Sequence, residues 1–164
     1  MKIKDRIVVA AADLSRHGDD AIIEGLAQLA SGAASALHIV NVLEPDQFVE
    51  MHGRPSILEQ EERALADGPA AMRQRVQFDA AMHGLPNPRD RVHVHVLIGK
   101  AVETLLQATI DFDADCLIVG THGRTGLSRV MLGSVAEQLM RRAHCPVIVA
   151  RPKNYRGLEP ALTP

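Results

Sequence analysis

The sequence predicts an α/β fold: a parallel sheet with helices on both faces. Three observations carry that reading. First, five short apolar runs rich in β-branched residues recur along the chain: Ile7–Ala12, Leu37–Val42, Val92–Ile98, Cys116–Val119 and Val147–Ala150. Second, the segments between them carry helical periodicity. Third, 46% of the residues are apolar while only three Phe and one Tyr are aromatic. An aliphatic core of that kind suits buried parallel strands covered by helices. Strands alternating with helices call for right-handed crossovers, which make the sheet parallel.

Each helix has its own justification. Asp19–Ala30 gathers Ile22, Ile23, Leu26, Leu29 and Ala30 on one face, with Gly32 placed to end it. Ala101–Ile110 carries Val102, Leu105, Leu106 and Ile110. Val135–Ala143 carries Ala136, Leu139, Met140 and Ala143, with Arg141 and Arg142 near its negative end. Between strands two and three, Leu58–Ala66 and Ala70–Met82 both read as helical, and Asp67-Gly68-Pro69 predicts either a break or a helix entered at Pro69. Before them, EPDQFVEMHGRPS reads as an exposed loop, a variable surface connection before anything else, although Phe48, Met51 and His52 could cover a ligand.

A chain of 164 residues is the usual size of one domain. Residues 1–152 read as that domain, and 153–164 as an extended tail holding Pro160 and Pro164. A net charge of −2, with both signs interspersed, gives no footprint of nucleic-acid binding. No apolar run reaches membrane-span length, and the N-terminus lacks the pattern of a signal peptide. Cys116 and Cys145 do not make a secreted disulfide framework. A cytoplasmic protein is the expectation, with both thiols reduced. They begin or precede strands four and five at the same end of the sheet, so they could lie near each other.

The chemistry concentrates in GTHGRTGLSRVMLGS, Gly120 to Ser134, where four glycines occur between strand four and a helix. Glycine lets a ligand approach the backbone. Free N–H groups leading into a helix N-terminus make an anion site, and phosphate is its common guest. Ser134 could cap that helix or bond a phosphate oxygen, and Arg124 could neutralise one. The stretch is not a Walker A loop, a GxGxxG fingerprint or a GxSxG elbow. Open α/β sheets bind ligands beyond the carboxyl ends of their strands, where strand order reverses. With strands one and four adjacent there, Asp13 and the glycine loop would share one crevice. Asp13 reads equally well as a helix cap, and the two roles are compatible.

The remaining candidates have bland readings. His93 and His95 project from one strand face, a spacing that can bind metal, but no third ligand stands near them in sequence; they read as polar residues on a partly exposed strand. His122 reads as an exposed loop histidine, and Arg129 as a surface residue or dimer contact. Met131-Leu132 fits either core packing under the loop or a partner surface. No metal site and no catalytic base-and-nucleophile pair emerges.

Almost all of the chain, roughly Asp5 to Pro152, resembles the universal stress proteins in their nucleotide-binding subgroup, most specifically over GTHGRTGLSRVMLGSVAEQLMRRAHCPVIVARP. Gly-x2-Gly-x9-Gly-[Ser/Thr] is met at Gly120, Gly123, Gly133 and Ser134. VVAAADLS resembles the family's first strand and its acidic residue at Asp13; LHIVNV and IGKAVETLL resemble its second strand and the glycine and helix after its third. Departures fall at Ala11-Ala12, Leu14 and His122. The resemblance implies strand order 3-2-1-4-5 and a homodimer formed along the last strand. It implies ATP or AMP as ligand, with Mg²⁺ a possible companion. Gly120, Gly123, Arg124, Gly133, Ser134 and Val135 would hold phosphates and ribose, and Ala12, Asp13 and Ile39 would neighbour adenine and sugar. A stress-response or signalling role follows from the resemblance. A slow hydrolase or phosphotransferase using His122 or Asp13, and an interaction module without nucleotide, are the rival readings.

Overall fold

A computed structural model describes residues 5–13, 19–44, 57–85, 90–121 and 133–151. Strands β1 (Ile7–Ala11), β2 (Ala36–Leu43), β3 (Val92–Ile98), β4 (Cys116–Gly120) and β5 (Val147–Ala150) alternate with helices α1 (Asp19–Ala30), α2 (Ile57–Met82), α3 (Ala101–Asp111) and α4 (Ser134–Arg142). The strands form one sheet in the order β3-β2-β1-β4-β5, and all four pairings are parallel. The expected fold class and strand order therefore hold.

Alternation along the strands sends side chains to two cores. Val8, Ala10, Leu37, Ile39, Cys116 and Ile118 pack with Ile22, Leu26 and Leu29 of α1 and with Met72, Val76 and Ala80 of α2. On the other face Val9, Val40, Leu117 and Val119 pack with Val102, Leu105 and Ala108 of α3 and with Ala136 and Leu139 of α4. Aliphatic side chains such as Ile22, Leu26, Leu37, Ile39 and Leu117 are fully buried, each contributing roughly 1.5–3 kcal/mol relative to exposure. Branched aliphatics fill both layers, which is why so few aromatics suffice. Cys116 belongs to the α1/α2 layer and Cys145 packs against the α3/α4 layer. Both thiols are free, and burial raises the pKa of each.

One expectation fails. No break occurs at Asp67-Gly68-Pro69: α2 runs from Ile57 to Met82 with Pro69 inside it. An internal proline costs a helix about 3 kcal/mol. Tertiary contact offsets that cost. Met72, Val76 and Ala80, spaced by four, are all buried against the sheet. Gly68 lets the backbone lie close to β3, since a Cβ there would stand 3.0 Å from Val96 Cγ2. Helix and sheet meet where the local sequence reads as a breaker.

No described helix is long and apolar enough to cross a membrane. The loop over 45–56, His122 to Leu132 and the tail from 152 lie outside the described residues.

Candidate functional site

The order β3-β2-β1-β4-β5 places the reversal between β1 and β4. From β1 the chain moves outward through β2, and from β4 it moves the other way to β5. Ala10 pairs with Ile118, so two residues further along, Ala12 and Gly120 come level at the carboxyl edge. Asp13 follows the first and Thr121 the second.

Past the last paired residue, β1 is still tied to its neighbour. Ala12 donates its N–H to the Val40 carbonyl at 2.9 Å. The Ala12 carbonyl accepts from Asn41 Nδ2 at 2.8 Å. Asn41 is 2% exposed, and a buried amide of this kind is retained where it is bonded. It fixes the direction in which Asp13 leaves the strand. Sequence reading passed over Asn41, although a lone amide inside the apolar run LHIVNV was the available signal.

On the other side of the reversal, Thr121 donates to the Ala150 carbonyl at 3.2 Å, and its own carbonyl accepts from Gly133 N–H at 2.9 Å. The two ends of the glycine loop therefore meet at one point beside β5. Gly133 is the N-cap of α4, in extended conformation with φ −62° and ψ 145°. Its carbonyl begins the helix by accepting from Glu137 N–H at 3.0 Å. As an N-cap, glycine has no side chain to occupy the space before the helix. Ser134 and Val135 are exposed in the first turn, where helical N–H groups lack intrahelical partners and the dipole is positive. Buried Ala136 and Leu139 seat the helix on the sheet. Arg142 Nη1 reaches Glu103 Oε1 of α3 at 2.9 Å, a bond that holds the Glu103 carboxyl below its usual range.

Of the sequence-predicted residues, Ala12, Asp13, Gly120, Gly133, Ser134 and Val135 gather at this edge. Ile39 lies level with Ala10 one strand over, fully buried in the α1/α2 layer. Gly123, Arg124, His122, Arg129, Met131 and Leu132 lie outside the described residues. The donors in place suit an anion: main-chain N–H groups at a positive helix end, with a glycine where the guest would approach.

The model of the universal stress protein family matches residues 5–151. The chain belongs to the universal stress protein family. A family member from Thermus aquaticus is 29% identical over 147 residues, covering 89% of this chain and 98% of that one. One from Methanocaldococcus jannaschii is 39% identical over 61 residues, and the match spans 37% of this chain and 36% of that relative's length. Among solved structures, universal stress protein UspA from Lactobacillus plantarum superposes with a TM-score of 0.69 at 22% identity, over 90% of this chain and 98% of its own. A universal stress protein family member from Arabidopsis thaliana, with AMP bound, has a TM-score of 0.54 at 14% identity, over 95% of this chain and 97% of its own.

Proposed function

We propose that this chain binds an adenosine nucleotide, ATP or AMP, at the carboxyl edge where β1 and β4 diverge. The phosphates rest on Gly120, Gly123, Arg124, Gly133, Ser134 and Val135. Adenine and ribose turn toward Ala12 and Asp13, with Ile39 in the core layer below. Mg²⁺ would accompany the ATP phosphates and offset their charge. The observation that carries this reading is the α4 N-terminus, which opens on Gly133 next to the strand reversal. The family relative with AMP bound lends support. The task is recognition in a cytoplasmic stress-response or signalling protein.

The homodimer forms along β5. Among the described residues that strand pairs with β4 alone, and an edge strand offers unpaired main-chain groups to a second copy. Residues 1–152 act as the single domain, with 153–164 as its tail.

Calorimetry with ATP and with AMP tests the site. Saturable binding supports the reading, and no heat from either nucleotide at about millimolar concentration, near −4.1 kcal/mol of binding free energy, defeats it. Sedimentation that finds only monomer at high protein concentration defeats the β5 dimer.

A further inference from the structure

At the amino-terminal reach of β2 and β3, three imidazoles meet on the α3/α4 face. The register sets His38 beside His93 and Val40 beside His95. Phe112, the C-cap of α3, lies against them, its ring centroid 4.3 Å from that of His38 and 4.5 Å from that of His95. His38 Nδ1 and His95 Nε2 stand 3.0 Å apart. The two rings are parallel within 1°, with centroids 5.1 Å apart. The centroids are further apart than the facing nitrogens, so the rings meet edge to edge, as an N–H···N bond requires.

Such a bond needs one donor and one acceptor. A neutral pair supplies both, and a first added proton can reside on an outer nitrogen. A second proton turns both facing nitrogens into donors. Among the described residues, no three His, Cys, Asp or Glu side chains form a group able to hold a metal ion, and the facing nitrogens are engaged with each other. Protonation is the chemistry left to the cluster.

We propose that the His38–His95 pair is an acid-operated latch, holding the C-terminal end of α3 on the sheet and releasing it when both imidazoles are charged. The surroundings suit such a device. β1 sets apolar Val9 opposite His38. α3 buries Val102, Leu105, Ala108 and Thr109, none of them charged; the exposed His144, following α4, stands with Nε2 3.5 Å from Thr109 Oγ1. At its end Asp111 is exposed and accepts from Gln107 Nε2 at 2.8 Å. Asp113 is exposed in a left-handed turn with φ 49°, and Asp115 accepts from Ile7 N–H at 3.0 Å. From β3, His93 is exposed beside the pair. Burial, then the charges of His95 and His93, push His38 down to about 4, and burial with His93 lowers His95. In the unfolded chain these groups titrate near 6.5. The folded state therefore takes up protons later than the unfolded one. Its full advantage exists above pH 6.5 and is lost as the pH falls toward 4.

The latch stands apart from the nucleotide site and does not depend on that reading. Hydrogen exchange tests it. Phe112, Asp113 and Ala114 donate their N–H groups to Ala108, Ile110 and Thr109, so these amides report the end of α3. Between about pH 7 and about pH 4, corrected for intrinsic exchange, their protection should fall roughly tenfold or more, while α1 amides hold theirs. His38→Phe should keep the protection throughout; if that variant does not fold, His95→Phe serves in its place. Unchanged protection, equal loss in α1 and α3, or acid loss persisting in the folded variant overturns the latch. So does a wild-type His38 imidazole resonance that titrates at about 6.5.

Discussion

Two helices begin at the same edge of this sheet, and their N-termini are treated differently. At α3, Ala101 N–H donates to Glu44 Oε1 at 2.9 Å, so a carboxylate from the end of β2 answers the positive helix end. Gly99 N–H donates to the Leu43 carbonyl at 3.0 Å, which closes that corner. At α4, the N-cap is Gly133 and no side chain of its own fills the space. A helix N-terminus favours a negative charge; α3 receives one from Glu44 of this chain, and in the function proposed above the nucleotide phosphates supply the one at α4. Two helix starts of one fold thus differ by one carboxylate and one glycine, and the binding site proposed above rests on the second.

The sharpest way to break this contrast is to place a side chain at the α4 N-cap. Gly133→Val should lower ATP or AMP affinity by about a hundredfold, near 2.7 kcal/mol, while the circular dichroism spectrum stays native; unchanged affinity would remove α4 from the site. Next in size is Asn41→Ala, which leaves the Ala12 carbonyl without its buried donor. Urea unfolding should register a loss of about 1–3 kcal/mol, with nucleotide affinity falling as Asp13 loses its fixed exit. A stability loss with unchanged affinity would confine Asn41 to the fold.

Gly99→Ala probes the α3 corner. Gly99 holds φ 151°, and a Cβ there would meet Thr104 Oγ1 at 2.5 Å. About 1–3 kcal/mol of stability should go, with nucleotide affinity intact. The smallest effect belongs to Glu44→Gln: removing the charge at the α3 end should cost about 0.3–1 kcal/mol. Nucleotide binding should again be unmoved, and a fall in affinity on either substitution would mean that the two helix ends form one site.

Much of this architecture could be read directly from the residues. The five strands were visible because buried parallel strands are nearly continuous apolar runs, and α1, α3 and α4 because their apolar stripes repeat at helical spacing. What lay hidden depended on neighbours distant in sequence. Pro69 reads locally as a helix breaker, and only the seat of Met72, Val76 and Ala80 on the sheet carries α2 through it. His93 and His95 were legible as one strand face, but their meeting with His38 depends on the β2–β3 register.

The sequence by itself determined the fold class, the apolar character of each strand and the spacing of Gly120, Gly133 and Ser134, because periodicity and backbone permissiveness are local properties. Tertiary structure alone decided that Asn41 holds the end of β1, that Glu44 answers α3, and that His38 faces His95. Those are pairings between side chains and backbone groups of different elements, and no local pattern encodes which strand end or helix end will stand opposite them.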